Sequence, residues 1–178
     1  MVRRIDQIFD ETLVLYAQEG KREALDHLAS RWRPRHYAHA RRLLGTGDKA
    51  ADAVQDAWIS IIRGLWRLKD PTRFPAWSYA IVTRRCQDVL RRTARVRETL
   101  LDENVASDPP GNPLGAHDLR AGLNALPPSQ RAAIALFYRD GLTVSEIAEA
   151  LAIPVGTVKT RLFHARRTLR HYFGGDET

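Results

Sequence analysis

Apolar residues recur along this chain at intervals of three and four, the spacing of an amphipathic helix, and nowhere alternate over the length of a strand. Residues 6–19 place Ile8, Leu13, Leu15, Tyr16 and Ala17 on a helix that Gly20 ends. Residues 21–43 predict a second helix with Ala24, Leu25, Leu28, Trp32, Ala40 and Leu43 inward and a kink or break at Pro34. Gly45 to Asp48 reads as a turn with Asp48 as N-cap. Residues 49–68 carry the clearest stripe: Ala50, Val54, Ala57 or Trp58, Ile61 and Leu65, with Asp52, Gln55 and Asp56 left on the polar side. After a loop at 69–74, residues 76–95 form a helix on which Trp77, Ala80, Ile81, Val89 and Leu90 suit a core. Residues 98–117 hold three prolines, two glycines and no basic residue, a composition that cannot bury enough surface to fold alone. Helices resume at Asp118, again at Pro128 or Ser129, and stop at Gly141. The expectation is an all-α fold: two small helical domains, 1–97 and 118–178, joined by a flexible linker at 98–117.

The stretch from Thr143 to Arg170 is the most informative. Thr143 and Glu146 stand three apart before an apolar run, which is a capping box. Ile147, Ala148 and Leu151 form one face of a short helix that Ala152-Ile153-Pro154 ends. A second helix restarts near Val155 with Val158, Leu162, Ala165 and Leu169 as its inward stripe. Its other side carries Lys159, Thr160, Phe163, His164, Arg166, Arg167 and Arg170. Between Thr157 and His171 there are five Lys or Arg and no acid. A capped helix, a tight turn and a single-signed basic helix make a helix-turn-helix, whose second helix enters the DNA major groove. Ala152 occupies the turn position, at a cost of about 1 kcal/mol if the backbone is left-handed there.

Charge sharpens the division. The chain carries 28 Lys and Arg against 21 Asp and Glu, for a net charge of +7, which suits a polyanionic partner. Residues 1–62 are nearly balanced, at ten against nine, whereas residues 63–97 carry ten basic against two acidic. Residues 98–118 carry five acids and no base, so a negative connector separates two basic surfaces. Cys86 is the sole cysteine, which excludes an internal disulfide and reads as an inert thiol. His36 and His39 share a helix face without metal-spaced companions and read as surface residues. No apolar run is long enough to span a bilayer and no leader segment is visible. The expected setting is the cytoplasm, without direct membrane insertion.

Four strings in order, DAVQDAW (52–58), RFPAWSYAIVTRRCQDVLRR (73–92), LNALPPSQRAAIALFYRDGLTVSEIAEAL (123–151) and IPVGTVKTRLFHARRTLR (153–170), resemble the extracytoplasmic-function group of sigma-70 RNA polymerase sigma factors. The resemblance covers nearly the whole chain. It implies that the first domain is region two, which binds the polymerase clamp helices and captures the melted minus-ten element. It implies that the second is region four, which reads the minus-thirty-five element as duplex and meets the polymerase flap. Asp52, Gln55 and Asp56 match the polymerase-facing string. Arg73, Phe74, Trp77, Arg84, Arg85, Arg91 and Arg92 match the minus-ten surface, with Phe74 or Trp77 as a stacking platform and the arginines on phosphates. Of the two aromatics, Trp77 is assigned to the core. Lys159, Thr160, Arg161, Phe163, His164, Arg166 and Arg167 match the minus-thirty-five face. Three positions depart from the family pattern: Arg85 stands where asparagine is common, Val155 where an acid is frequent, and His164 where arginine is frequent. The family also implies core RNA polymerase, promoter DNA and an inhibitory anti-sigma factor as partners.

A free-standing regulator like the LuxR-type helix-turn-helix is the competing reading, and it leaves the DAVQDAW helix and the acidic tether without a role. An enzyme acting on nucleic acid lacks any carboxylate cluster, metal spacing or nucleophile–base pair, so neither catalysis nor a cofactor is expected.

Overall fold

The computed structural model describes residues 5–99 and 118–173, so most of the expected linker lies outside the described residues. Every regular element among them is helical, and they fall into two compact units. The first contains α1 (Ile5–Gln18), α2 (Arg22–Leu44), α3 (Gly47–Gly64), two 3-10 turns (Leu65–Arg67 and Pro71–Arg73) and the start of α4 (Phe74–Thr99). The second contains the end of α4, α5 (Asp118–Ala125), α6 (Pro128–Tyr138), the first part of α7 (Val144–Leu151) and α8 (Val155–Tyr172).

α3 follows the sequence pattern closely: Ala50, Val54, Ala57, Trp58, Ile61 and Leu65 are all buried, and Ala53 joins them. Its first residue is Gly47, with Thr46 as N-cap, so Asp48 is not the cap but lies in the first turn. There its carboxylate faces the positive end of the helix dipole. The α-helix ends at Gly64 and tightens into a 3-10 turn rather than running to 68. α2 passes through Pro34 unbroken. Pro34 is exposed, as is Ser30, so the carbonyl that loses its partner is open to water, while buried Trp32 and His36 hold the helix on either side.

Two further expectations are overturned. His36 and His39 are not surface residues; both are fully buried. His36 Nε2 lies 3.1 Å from Ser78 Oγ, and His39 Nε2 lies 2.9 Å from Thr83 Oγ1, both on α4. The inward face of α4 is also different from the expected one. Phe74, Ala76, Ser78, Tyr79, Val82, Thr83 and Cys86 are buried, whereas Trp77, Ala80, Ile81 and Val89 are half-buried and Leu90 is exposed. The physical reason is common to both. Two hydroxyls can turn inward because two imidazoles meet them, although Nδ1 of each ring is buried without a hydrogen-bond partner.

Aromatic rings box the imidazoles in. Tyr79 stands edge-on to His36 and His39 at 5.2 and 5.0 Å, and Trp58 and Trp32 each lie 5.6 Å from His36. Trp32 also meets Phe74 edge-on at 5.3 Å. Ser78 Oγ donates to the Pro75 carbonyl at 3.1 Å, which uses its only proton. It therefore accepts from His36 Nε2–H, and the neutral ring keeps its lone pair at Nδ1. Burial pushes both histidines down from 6.5 to about 3; repulsion from His39 and Arg35 adds to the effect at His36, and repulsion from Arg42 adds to it at His39. Burial likewise raises the Cys86 thiol to about 12, which makes it inert as expected. Half-buried Arg31 donates from Nε to buried Asp10 at 2.7 Å and ties α1 to α2.

In the second unit, Pro128 opens α6 at its first turn. The capping box of α7 is formed: Glu146 Oε2 accepts from Thr143 N at 2.7 Å, and Thr143 Oγ1 accepts from Glu146 N at 3.3 Å. At the other end Ile153 N donates to Ala148 O at 3.0 Å and Ala152 N to Glu149 O at 3.1 Å, a Schellman motif. This motif puts its turn residue in the left-handed region, and Ala152 is there with φ of 54°. It is the one described non-glycine residue with positive φ. Val158, Leu162 and Ala165 of α8 are buried and Leu169 is half-buried, and this stripe packs on α6 and α5.

Two outcomes follow from these contacts. Unfolded histidines take up protons near pH 6.5 that the folded ones refuse until about 3. Stability is therefore complete above 6.5 and falls as the pH drops through that window. Each histidine should remove about 2 kcal/mol between pH 7.5 and pH 5. Urea midpoints measured across that range should show the fall, and the double change His36→Gln with His39→Gln should flatten it. The change Ala152→Gly should relieve the left-handed alanine by about 1 kcal/mol. Calorimetry of the full chain should then show one transition raised by about 4–8 °C.

Candidate nucleic-acid and polymerase interfaces

α8 presents its basic side to solvent because its apolar stripe is fully spent on α5 and α6. At 100° per residue, Gly156, Thr160, Phe163 and Arg167 fall opposite that stripe, flanked by Lys159 and Arg170 on one side and His164 on the other. Lys159, Thr160, Phe163 and Arg167 are exposed, Phe163 by 61%, and His164 is half-buried with its ring edge-on to Phe163 at 5.5 Å. An exposed phenyl ring at the centre of a basic helix face supplies apolar contact where the lysine and arginines supply charge. Arg161 is half-buried on the flank of the stripe.

Arg166 has other work. Its Nε donates to Tyr138 Oη at 2.9 Å, and its guanidinium lies over Phe137 and Tyr138 at 5.4 and 5.6 Å. The cation–π stack fixes Arg166 against α6 and leaves Arg167 as the outward arginine of the pair.

On α4 the same geometry puts Trp77, Arg84 and Arg91 in one line, seven residues apart, on the side away from the buried face. Arg84, Arg91 and Arg92 are exposed. Arg85 is half-buried and donates to Ser60 Oγ on α3 at 2.8 Å, with Asp88 at 3.9 Å, so it braces two helices. Phe74 and Trp77 exchange their expected places. Phe74 is fully buried against Trp32, whereas Trp77 keeps part of its indole in solvent. The indole rests on Gly64: a Cβ there would come within 3.0 Å of Trp77 Cζ2. Only glycine lets the ring lie so close to the end of α3. Just before α4, Asp70 Oδ1 accepts from Thr72 N and Thr72 Oγ1 at 3.0 and 2.7 Å, which shapes the 69–73 loop, and Arg73 is exposed at its end.

On α3, Asp52, Gln55 and Asp56 are exposed, with Asp52 and Asp56 opposite the buried stripe. The sequence reading missed what surrounds them. Ile59, Ile62 and Trp66 are exposed by 44%, 40% and 58% along the same side. Beside them a surface cavity of about 580 Å³ opens between α2 and α3, lined by Arg33, Pro34, Tyr37, Ala51, Val54 and Gln55. The spacing 59, 62, 66 was legible as a second apolar stripe. Among the described residues there is no cluster of three His, Cys, Asp or Glu side chains that could hold a metal ion, and no helix is long and apolar enough to cross a membrane.

Comparison with known proteins covers both units. Residues 28–96 match the family description of Sigma-70 region 2, and residues 116–169 match that of Sigma-70, region 4. The chain is 31% identical to the ECF RNA polymerase sigma factor SigM of Mycobacterium tuberculosis, covering 93% of this chain and 85% of that one. It is 33% identical to SigE of Mycolicibacterium smegmatis, spanning 93% of this chain but 66% of that protein's length. It is 29% identical to the sigma-E factor of Escherichia coli, covering 92% and 94%. Among solved structures it resembles the sigma factor RpoE of Bartonella quintana, in complex with the anti-sigma factor NepR, with a TM-score of 0.65 at 25% identity over 86% of this chain and 98% of that one. It also resembles CnrH, in complex with the cytosolic domain of CnrY, with a TM-score of 0.60 at 25% identity over 95% and 99%. A free-standing helix-turn-helix regulator would account for the second unit alone, whereas these matches run through both. The chain belongs to the ECF group of the sigma-70 family of RNA polymerase sigma factors.

Proposed function

We propose that this chain docks on core RNA polymerase, directs it to a set of promoters, and is held in check by an anti-sigma factor. Residues 1–97 act as region two and residues 118–178 as region four, with 98–117 as the acidic connector. Asp52, Gln55 and Asp56, with the neighbouring Ile59, Ile62 and Trp66, meet the clamp helices, and region four meets the flap. Arg73, Trp77, Arg84, Arg91 and Arg92 hold the separated strand at the minus-ten element. Phosphate contacts position that strand without reading it, and the half-exposed Trp77 is the stacking platform. Phe74 leaves that role for the core, and Arg85 contributes by bracing α4 on α3.

The observation that carries this reading is the outward face of α8. Lys159, Thr160, Phe163 and Arg167 project from a helix that holds no acid from Thr157 to His171, behind a turn fixed by a capping box and a Schellman motif. Such a face suits the major groove, with Lys159 and His164 at base edges, Phe163 on a thymine methyl and Arg167 on a phosphate. Arg161 and Arg166 flank it. The two solved relatives captured with partners, one of them a named anti-sigma factor, support an inhibitory partner here. The chain supplies recognition and strand opening by binding energy, and the polymerase supplies catalysis.

The direct test is to add the purified chain to bacterial core polymerase on fragmented genomic DNA and sequence the transcripts. Discrete start sites sharing two spaced elements are the expected result; start sites indistinguishable from those of core polymerase alone would overturn the reading. With such a promoter in hand, Arg167→Ala should weaken minus-thirty-five binding across sequences and lower the salt slope by about 1. Lys159→Ala and His164→Ala should instead change base preference, each costing about 1–3 kcal/mol at one position. The pair Asp52→Ala with Asp56→Ala should lower affinity for core polymerase in a titration, while binding of the chain to minus-thirty-five duplex stays as it was.

A further inference from the structure

α4 is held to α2 in an unusual way. Its inward side carries a short apolar stripe, Tyr79, Val82 and Cys86, with the buried hydroxyls of Ser78 and Thr83 on either side of it. The two helices meet through large side chains: Trp32, His36 and His39 from α2, and Phe74, Ser78, Tyr79 and Thr83 from α4. Edge-on aromatic contacts tolerate rotation, because each ring presents similar edges over a range of angles. Hydrogen bonds do not tolerate it. His36 to Ser78 and His39 to Thr83 join points three residues apart on α2 to points five residues apart on α4. Together they allow one azimuth and one axial register of α4, as a buried polar pair does in a helical core. Each pinned hydroxyl also stands directly beside an outward group of the proposed strand-holding face: Ser78 follows Trp77, and Thr83 precedes Arg84.

We infer that His36 and His39 are positioning residues for promoter opening, pinning the rotation of α4 through Ser78 and Thr83 so that Trp77, Arg84 and Arg91 line up on one strand. The inference rests on the reading of α4 as the minus-ten surface. It goes beyond that reading by assigning the work to four buried residues that touch no DNA. They act by specifying one arrangement, and their contribution to stability is secondary. Replacing a buried hydrogen-bonded pair by apolar side chains of similar shape is nearly neutral for stability. Specificity and stability therefore separate in the right variants.

The variants are His36→Leu with Ser78→Ala, and His39→Leu with Thr83→Val, made in the full chain. Their urea midpoints should match the parent. Nitrogen–proton correlation spectra should then show the Trp77 indole, assigned through Trp77→Phe, split into more than one resonance. Affinity of the holoenzyme for fork DNA carrying a single-stranded minus-ten element should fall about tenfold, and core polymerase affinity should hold. The single changes His36→Gln and His39→Gln keep an N–H at the Nε2 position and should retain one indole resonance and parental fork affinity. Should either apolar pair fail to fold, Thr83→Val alone, which preserves the side-chain shape, should split the resonance. A single, unshifted indole resonance in the folded apolar variants would overturn the inference. A split resonance with unchanged fork affinity would instead overturn the assignment of α4 to the promoter strand.

Discussion

The N-terminal unit depends on one seam, where two neutral imidazoles from α2 reach two hydroxyls on α4 inside a box of aromatic rings. Remove the hydroxyls and each imidazole loses its one hydrogen bond; remove the imidazoles and Ser78 and Thr83 are buried beside Phe74, Tyr79 and Val82 without these partners. The direction in which α4 presents Trp77 and its arginines follows from that choice. The rings fill the seam, and the hydrogen bonds join fixed points on the two helices. A surface made of long cationic side chains needs such a foundation, because arginines adjust to almost any phosphate unless their helix is fixed.

The second unit solves the same problem with local means. α8 is short of tertiary choices: its stripe of Val158, Leu162, Ala165 and Leu169 leaves only one side for solvent, and every charge there has one sign. Its start is set by a turn in which a reciprocal Thr143–Glu146 pair closes one end of α7 and two backbone bonds close the other. The turn has one answer even though alanine must adopt a conformation that glycine adopts more cheaply. The neighbouring aromatic shelf of Phe137 and Tyr138 takes up Arg166, which leaves Arg167 as the outward cation. In both units some arginines serve as internal braces. Arg31, Arg85 and Arg166 are engaged within the protein.

Much of this was legible without coordinates. Helix-period stripes named the cores of α3 and α8 residue by residue, because a stripe of small and branched apolar side chains has only one use in water. The capping box and the left-handed position at Ala152 were legible because both are backbone problems with local solutions. The segmental charges separated two basic helices from an acidic connector. Where the reading failed, a polar or ambiguous residue took a partner distant in sequence. His36 and His39 looked like surface groups because their partners lie 42 and 44 residues away. Trp77 was assigned to the core with the other apolar positions of its helix, and nothing local reveals that Gly64 offers the indole a shallow shelf.

The chain by itself determined the helices, the capping box of α7, the two charged faces and the family, since each is written in short-range periodicity, in single-residue backbone preference or in motifs whose order survives without a fold. Only the tertiary structure decided which side of α4 faces in, which arginines are spent as braces, and which aromatic ring is left at the surface. Those outcomes turn on pairs of side chains brought together from different helices. A hydrogen bond or a ring contact of that kind has no signature in either helix alone.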